Sequence, residues 1–210
     1  MNDRHHLVLK DIHIALDGVT LLALDAEVGP GEVLTVMGPS GSGKSTLLAY
    51  LAGFLSPAFA ASGRALLDGQ DLTRLPAEQR GIGLLFQDPL LFPHLSVAGN
   101  LRFGMPRATA DRAERVEAAL AQIGLPGFGK RDPATLSGGQ KARVALMRLL
   151  LSAPRAVLLD EPFSKLDTAL RHEMRELVFG RLRDAGLPSL LVTHDREDAE
   201  DAGGRIIALE

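Results

Sequence analysis

The sequence predicts an α/β fold built on a parallel or mixed sheet. Short apolar runs with the continuous pattern of buried strands recur at 33–37, 82–87, 156–162 and 189–194. These strand patterns alternate with longer helical patterns, as is typical of α/β proteins. Between about residues 96 and 152 only helical patterns follow one another. We therefore expect a block of helices inserted into the α/β core.

The first part of the chain is predicted to consist mostly of strands. The predicted elements are strands at 7–16 and 19–28, a turn at 29–32, a buried strand at 33–37, a helix at 45–55, a surface loop at 56–63 and a strand with a turn at 63–72. A glycine-rich loop separates the buried strand from the helix, so strand, loop and helix follow one another directly.

The rest of the chain is predicted to hold four helices and four strands. The helices are expected at 96–105, at 110–124 with Gly124 as the stop signal, from just after Ser137 to about Ser152, and at 169–186. The strands are expected at 82–87, 156–162, 189–194 and 205–210.

Composition excludes several classes of function. The chain has 210 residues, a net charge of -3 and no cysteine. The absence of a basic surplus argues against nucleic acid as a partner, and the lack of cysteine excludes disulfides, thiolate metal sites and cysteine nucleophiles. No apolar run reaches the roughly 18–20 residues that span a bilayer. We expect a protein that is soluble by itself, with any membrane role exerted through a partner.

The glycine-rich loop has the residue types of a phosphate-binding loop. Residues 38–45, GPSGSGKS, match the pattern G-x-x-x-x-G-K-[ST] between a strand and a helix. Glycines let backbone N–H groups turn towards phosphates, and the helix N-terminus adds positive potential. In such a loop Lys44 reaches the β- and γ-phosphates and Ser45 ligates Mg²⁺. A chance glycine turn is the alternative. The residues predicted to bind the nucleotide are Gly38, Pro39, Ser40, Gly41, Ser42, Gly43, Lys44, Ser45 and Thr46.

Two carboxylates, Asp160 and Glu161, follow the apolar run AVLL. Beside a phosphate loop, this strand would bring Asp160 to the Mg²⁺ ion and Glu161 to the point where water attacks the γ-phosphate. Phosphoryl transfer requires the protein mainly to position groups and stabilise charge. A carboxylate that accepts a proton from the attacking water supplies the missing base. The alternative is a strand that ends in ordinary solvated acids.

A second glycine-rich stretch, TLSGGQK at 135–141, precedes a strongly helical run. Ser137 is a common N-cap residue, and the helix start again offers positive potential to an anion. A plain helix cap is the alternative. A cap accounts for Ser137, but we expect that it does not account for two glycines followed by Gln140.

Together these stretches carry a family resemblance. In order, GPSGSGKST, LLFQD, LSGGQ, VLLDEP, SKLD and VTHD resemble the motifs of ABC ATPases over essentially the whole chain. LSGGQ is the signature of that family and is more specific than the phosphate loop. The resemblance implies a P-loop NTPase with a RecA-like core, an N-terminal antiparallel β-subdomain and an inserted α-helical subdomain. It implies one ATPase domain over 1–210, with its core at 1–90 and 153–210 and the helical subdomain at about 91–152.

The resemblance also implies that ATP is shared between two chains. In the family the signature contacts the γ-phosphate of ATP bound to the other subunit, so two copies would pair as a homodimer on binding ATP. The residues to which this role transfers are Ser137, Gly138, Gly139 and Gln140.

Three further residues match motif positions of the family. Gln87 matches a glutamine that touches Mg²⁺ and the attacking water, and Asp167 matches an aspartate at the dimer interface. His194 matches a histidine that hydrogen-bonds the γ-phosphate, so the implied catalytic set is Glu161, His194 and Gln87. The structural alternatives are a strand-end residue for Gln87 and His194 and a helix N-cap for Asp167.

Two regions bear on the base of the nucleotide and on partners. The family usually stacks adenine on an aromatic residue before the phosphate loop, but family spacing places Ala15 there. We therefore expect modest nucleotide affinity and weak base selectivity, with aliphatic contacts or His13 against the base.

LFPHLSV at 91–97 resembles the segment on which membrane subunits of uptake systems dock. An exposed Phe92 or Leu95 would suit that role, and internal packing is the alternative.

The function implied is that of an ATP-hydrolysing motor subunit of a bacterial ABC importer for a small solute. The resemblance is to the short form without a C-terminal regulatory domain. Implied partners are a second copy, integral membrane subunits and a solute-binding protein, but no nucleic acid, and the implied location is peripheral, at the cytoplasmic face of the inner membrane. The alternative is a non-transport ABC ATPase acting on nucleic acid or ribosomes, although the long insertions usual in those are missing. A small-molecule kinase is disfavoured by LSGGQ, Glu161 and His194 together.

Overall fold

A computed structural model describes residues 5–209. The strands are Leu7–Leu16 (β1), Val19–Val28 (β2), Val33–Met37 (β3), Phe59–Leu67 (β4), Gln70–Asp71 (β5), Ile82–Phe86 (β6), Ala156–Asp160 (β7), Ser189–Thr193 (β8) and Ile206–Ala208 (β9). The helices are Lys44–Ala52 (α1), Val97–Gly104 (α2), Arg112–Gln122 (α3), Gly138–Leu151 (α4), Thr168–Asp184 (α5) and Arg196–Ala202 (α6). None of the helices in the described part of the chain has the length and apolar character needed to cross a membrane.

The described residues form two compact units. The first unit contains the residues up to Leu84, Arg155–Glu161 and the residues from Arg175 onward. The second contains Leu85–Pro154 and Pro162–Met174.

A five-stranded sheet in the order β6-β7-β8-β3-β9 organises the first unit. β3 pairs in parallel with β8 and β9, and β7 pairs in parallel with β8. All of β8 and all but the last residue of β3 and β7 are buried, as expected for parallel strands covered on both faces. In register, Met37 lies beside Thr193 and Asp160 beside Val192. These three strands therefore end at the same edge of the sheet.

A second sheet in the first unit has the order β2-β1-β4-β5, with antiparallel neighbours. β2 alternates between exposed residues and the buried Leu22, Leu24, Ala26 and Val28, so one face of this sheet packs on the core. β1 and β4 come unusually close at Gly63. A Cβ added to this glycine would lie 2.3 Å from the carbonyl oxygen of Asp11, which no side chain could tolerate.

The second unit is built mainly from α2, α3 and α4. Each helix turns apolar residues inward, and the buried set includes Val97, Leu101, Val116, Leu120, Val144 and Leu146. The backbones of α2 and α4 approach each other at Gly104. A Cβ added there would lie 2.3 Å from the carbonyl oxygen of Arg148.

The predicted α/β fold is confirmed, and so are most of its elements. The first three strands have the predicted bounds, and α4 begins directly after Ser137. The predicted loop at 56–63 is wrong from Phe59 onward, because that stretch belongs to β4 and pairs with 13–16 of β1. Its alanine and serine residues have little strand preference, so the strand depends on a partner distant in sequence. The predicted final strand at 205–210 narrows to β9, and Glu210 lies outside the described residues.

Candidate active site

The phosphate loop connects the end of β3 to the start of α1. Gly41 and Gly43 have φ angles of 87° and 86°, a left-handed conformation that favours glycine. Gly43 is the N-cap of α1, and no described side chain caps this helix. The N–H groups of its first turn are therefore available to an anion. Ser42 Oγ is buried and makes no hydrogen bond within the described part of the chain, so a phosphate oxygen could also satisfy it.

The Lys44 side chain folds back over the loop. Its Nζ donates hydrogen bonds of 2.7 Å to the carbonyl oxygens of Gly38 and Pro39, and the residue is only 6% exposed. The ammonium group is thus held inside the loop. Phosphate oxygens would be stronger acceptors for it than these neutral carbonyls, because ionised acceptors form the stronger hydrogen bonds.

Ser45 and Asp160 lie together although they are distant in sequence. Ser45 Oγ donates to Asp160 Oδ1 at 3.3 Å. Burial raises the pKa of the Asp160 carboxyl above its ordinary value; the nearby Glu161 raises it further, whereas Ser45 and Lys44 lower it. A divalent cation would offset the cost of keeping this buried carboxylate ionised.

The oxygen donors of Ser45 and Asp160 fit a Mg²⁺ ion that is bound together with a nucleotide. Magnesium is usually held by one or two carboxylates, phosphate oxygens and water. Among residues 5–209, no group of three or more His, Cys, Asp and Glu could hold a metal ion. The protein donors alone are thus few, and phosphate oxygens would complete the coordination.

Glu161 and His194 form a second pair at the same edge of the sheet. Glu161 follows β7 directly, and its N–H donates to the carbonyl oxygen of Val192 at 3.0 Å. His194 follows β8, and its Nδ1 lies 3.0 Å from Glu161 Oε1. The φ angle of Glu161 is 44°, a left-handed conformation that costs energy for a residue other than glycine. The ends of the two strands therefore hold Glu161 in place, with a strained backbone.

Polar residues around His194 were missed from the sequence. Thr193 Oγ1 donates to Asp198 Oδ2 at 3.0 Å and accepts the N–H of Asp195 at 3.0 Å. Asp198 in turn accepts a hydrogen bond from Arg175 at 2.6 Å. The acidic run DREDAED was a signal for a helix N-terminus. It did not show which of its carboxylates turns inward or which arginine it meets.

In the second unit, the TLSGGQ stretch forms the start of α4. The Ser137 side chain accepts the N–H of Gln140 at 3.3 Å, and Gln140 Oε1 accepts the N–H of Ser137 at 3.1 Å. This is a reciprocal capping box. A Cβ added to Gly139 would lie 2.6 Å from the end of the Leu170 side chain, which would have to move to make room for it. The expectation that a cap does not account for Gln140 was therefore wrong, because the capping box uses the Gln140 side chain. A Cβ on Gly138 would meet nothing within 4 Å, so packing does not require that glycine.

Gln87 and Asp167 also lie in the second unit. Gln87 is exposed directly after β6, beside Asp88, whose carboxylate pairs with Lys165 at 2.6 Å. Asp167 Oδ1 accepts the N–H of Leu170 at 3.1 Å, so this aspartate caps the start of α5. The capping role that was considered for Asp167 is thus present. The structure brings Lys44, Ser45, Asp160, Glu161 and His194 to one sheet edge of the first unit, and it places Gln87, Ser137–Gln140 and Asp167 in the second unit.

The segment after Gln87 exposes apolar side chains in the second unit. Leu90 is 55% and Phe103 65% exposed, and the Phe92 ring lies 4.5 Å from that of Phe103 and 5.9 Å from that of His94. Phe92 and Leu95, which were considered as exposed docking residues, are half-buried. The exposed apolar residues of this region are Leu90 and Phe103 instead. We call Leu90, Phe92, His94 and Phe103 the apolar surface.

Two residues fix the backbone beneath the apolar surface. Asn100 is fully buried, and its amide donates to the carbonyl oxygens of Phe92, Leu95 and Ser96. Arg148 donates to the carbonyl oxygens of Pro89 and Leu90 at 3.1 and 2.8 Å. This exposed apolar segment is therefore preformed, as expected of a binding surface.

Ala15 lies near the end of β1, half-buried between Thr20 of β2 and Ala60 of β4. Its methyl group offers little surface to a base. Val19 of β2, which pairs with Leu16 next to Ala15, is a larger apolar residue and is 65% exposed.

Comparison with known proteins gives a consistent result. The family model described as "ABC transporter" matches residues 21–164. The chain is 47% identical over 195 residues to the uncharacterised ABC transporter ATP-binding protein YnjD of Escherichia coli, covering 91% of this chain and 90% of that protein. It is 48% identical over 190 residues to the thiamine import ATP-binding protein ThiQ of Cereibacter sphaeroides, covering 89% of this chain and 80% of that protein.

Two longer or solved relatives extend the comparison. The chain is 46% identical over 199 residues to the Fe(3+) ions import ATP-binding protein FbpC of Mesorhizobium japonicum, covering 92% of this chain but only 54% of that protein. The chain thus spans about half the length of this relative. The solved structure of cbiO1 from Clostridium perfringens, part of the ABC transporter complex cbiONQ, superposes with a TM-score of 0.83 at 29% identity, covering 97% of this chain and 84% of that one.

Proposed function

The chain belongs to the ABC transporter family and is an ATP-binding ATPase of that family, and from this premise we propose that it is the motor subunit of an importer for a small solute. The observation that carries the proposal is the shared edge of the parallel sheet. The phosphate loop, the Ser45–Asp160 pair and the Glu161–His194 pair all follow strands that end there. This edge would thus provide both a site for phosphates and a base for hydrolysis.

The phosphate loop and Lys44 would bind the triphosphate of ATP. The free N–H groups at the start of α1 would donate to phosphate oxygens, and the Lys44 ammonium would exchange its carbonyl acceptors for phosphate oxygens. Ser45 and Asp160 would hold the Mg²⁺ ion, which neutralises charge on the phosphates. Gln87 is proposed as a further ligand to the ion and to the attacking water.

Glu161 and His194 would carry the hydrolytic step. The Glu161 carboxylate is proposed to accept a proton from the attacking water, which raises the nucleophilicity of its oxygen. His194 is proposed to hold that carboxylate by the 3.0 Å hydrogen bond and to donate to the γ-phosphate from its other ring nitrogen. The strained backbone of Glu161 supports this role, because such strain persists where the surrounding structure fixes a functional group.

The second unit is proposed to complete the site of a second copy of the chain. Ser137–Gln140 of one copy would present the N-terminus of α4 to the γ-phosphate bound by the other copy. Two helix N-termini would then neutralise one triphosphate from opposite sides, with Asp167 at the interface. ATP binding would close this homodimer, and hydrolysis would open it.

We propose that integral membrane subunits dock on the apolar surface, and that the protein is peripheral at the cytoplasmic face of the inner membrane. The exposed Leu90 and Phe103 suit an apolar partner helix. The relatives' names include importers of iron ions, thiamine, and spermidine or putrescine, which supports import of a small solute. A solute-binding protein is proposed as the remaining partner.

Affinity purification tests the transport proposal. The tagged chain is isolated from gently solubilised native membranes, and co-purifying proteins are identified by mass spectrometry. We expect a stoichiometric polytopic membrane protein, and we expect the double variant Leu90→Asp/Phe103→Asp to lose it while still binding ATP. Recovery from the soluble fraction with ribosomal or DNA-repair proteins would instead support the non-transport alternative.

A further inference from the structure

His194 is held by its neighbours in sequence on both sides. Before it, the Thr193 hydroxyl is buried and donates to Asp198 Oδ2 at 3.0 Å. After it, the N–H of Asp195 donates to the same Thr193 oxygen at 3.0 Å, and Asp195 caps α6 by accepting the N–H of Glu197 at 2.9 Å. The turn that carries His194 is therefore closed by a single side-chain oxygen.

A buried arginine also anchors the turn that carries His194. The Arg175 side chain is 4% exposed, and its Nε donates to Asp198 Oδ1 at 2.6 Å. Its Nη1 lies 3.0 Å from Glu197 Oε2 and 3.3 Å from Asp201 Oδ2, and its Nη2 lies 3.6 Å from Asp195 Oδ1. One guanidinium on α5 thus binds four carboxylates of the turn and of α6. Asp198 is itself 2% exposed, so it links the buried arginine to Thr193.

The His194 side chain, by contrast, has little to hold it in place. It is 62% exposed, and within the described residues its one hydrogen bond is to Glu161. The direction of an exposed imidazole depends on its backbone, since surface side chains otherwise sample several rotamers. The backbone on either side of His194 is fixed by Thr193, Asp198 and Arg175.

We propose that Thr193, Asp198 and Arg175 are positioning residues that aim His194 at Glu161 and the γ-phosphate during hydrolysis. The inference rests on the proposed catalytic role of His194. The three residues act through the backbone of the turn, and they touch neither the nucleotide nor the water. Small displacements of a catalytic group lower the rate of the chemical step far more than they weaken substrate binding. Loss of the Thr193 hydroxyl should therefore lower kcat and leave KM nearly unchanged.

Thr193→Val is the main test, because valine keeps the shape of threonine and removes only the hydroxyl. ATP hydrolysis by the purified full chain is followed as phosphate release over a range of ATP concentrations. We expect kcat to fall about tenfold, with KM within about twofold of the original. Thr193→Ser keeps the hydroxyl and is expected to restore hydrolysis.

A double-variant cycle separates positioning from general loss of structure. His194→Ala is measured alone and together with Thr193→Val. If Thr193 acts through His194, adding Thr193→Val to His194→Ala lowers kcat by less than about twofold further. If Thr193→Val lowered kcat equally in the original chain and in His194→Ala, its effect would be purely structural and the inference would be overturned.

The remaining outcomes distinguish the inference from the proposed function. If His194→Ala lowers kcat but Thr193→Val does not, the positioning inference is wrong and the proposed function stands. If His194→Ala itself leaves kcat unchanged, the proposed role of His194 fails, and the inference fails with it. Should Thr193→Val not fold, Asp198→Asn is measured in the same cycle. Asparagine keeps the size of the side chain and removes the charge that Arg175 binds, and the same additivity criterion decides.

Discussion

Lys44 is the residue whose surroundings bear most directly on nucleotide affinity. It is nearly buried, and its ammonium group bonds to two carbonyl oxygens of its own loop. We predict that Lys44→Ala weakens ATP binding by tenfold or more, which corresponds to roughly 1.4 kcal/mol or more, because it removes a positive charge from the phosphates. Binding of a slowly hydrolysed ATP analogue is measured by calorimetry. Lys10→Ala, at an exposed position of β1, serves as the control, and unchanged binding by Lys44→Ala would refute this role.

Asp160 combines function with a cost in stability. Burial raises the pKa of its carboxyl, so the folded chain holds this proton to a higher pH than the unfolded chain. Ionisation of Asp160 therefore destabilises the nucleotide-free fold. We predict that Asp160→Asn raises the free energy of unfolding at neutral pH, by about 0.5–1 kcal/mol, and abolishes Mg²⁺-dependent hydrolysis.

The difference in the free energy of unfolding between Asp160→Asn and the original chain should depend on pH. Below the ordinary carboxyl pKa both states are protonated, so the variant and the original chain should differ least there. As pH rises through the raised pKa of Asp160, the original chain should lose stability relative to Asp160→Asn. Urea unfolding at several pH values measures the difference. An advantage of the variant that grows towards acid pH would contradict the assignment.

Among single residues, those in continuous motifs were accessible to sequence reasoning. Lys44 and Ser45 are close in sequence, and Asp160 follows an apolar run, so residue type and strand order together predicted their meeting. Thr193, Asp198 and Arg175 were not accessible, because Asp198 meets the buried Arg175 of α5 and the Thr193 hydroxyl only after folding. Gln140 was misread for a different reason: its side chain serves a local capping box that the residue types S-G-G-Q already allowed.

The crossing of α2 and α4 depends on a glycine. A Cβ on Gly104 would lie 2.3 Å from the backbone oxygen of Arg148, and backbone cannot move aside as a side chain can. We predict that Gly104→Ala lowers the free energy of unfolding by roughly 1–3 kcal/mol, as expected for overpacking. Denaturant unfolding followed by circular dichroism measures the change.

Gly180 provides the matched control for this glycine. It lies inside α5, and a Cβ there would meet nothing within 4 Å. Gly180→Ala should therefore stabilise the chain by about 1 kcal/mol through helix propensity alone. If both alanines stabilised to the same degree, the close approach of α2 and α4 would not be a constraint.

Elements were predictable where their pattern was local. The strands β3, β7 and β8 are continuous apolar runs. Helix α4 has an N-cap residue and apolar residues at helical spacing over several turns. The start of β4 was not predictable, since its alanine and serine residues form a strand only by pairing with 13–16 of β1. Helix α6 was not predicted either, because its seven residues are too few to show a helical period.

At the scale of the whole molecule, the proposed pairing of two chains would decide activity. If Ser137 faces the ATP of a second copy, a long cation at this position should block that approach. We predict that Ser137→Arg leaves ATP binding by the single chain intact and prevents ATP-driven dimers. Light scattering after size-exclusion chromatography, with and without ATP, measures the dimers.

Glu161→Gln provides the background for that experiment, because loss of the base should trap ATP and the dimer with it. Thr135→Arg adds the same charge at an exposed residue just outside the LSGGQ stretch and should leave the trapped dimer intact. Normal dimers in Glu161→Gln/Ser137→Arg would remove the proposed role of the second glycine stretch. Rapid turnover by Glu161→Gln alone would place the base elsewhere.

The position of β3 has a consequence for how the protein is made on the ribosome. β3 carries the phosphate loop at its end, but its two sheet neighbours, β8 and β9, are translated about 150 residues later. At usual rates of synthesis this is a wait of roughly ten to thirty seconds. The sheet of β1, β2 and β4 can form early, whereas the apolar VLTVM run stays without its strand partners until β8 and β9 emerge. The nucleotide site is therefore completed only after β8 and β9 have been made, and a nascent chain should depend on chaperones until then.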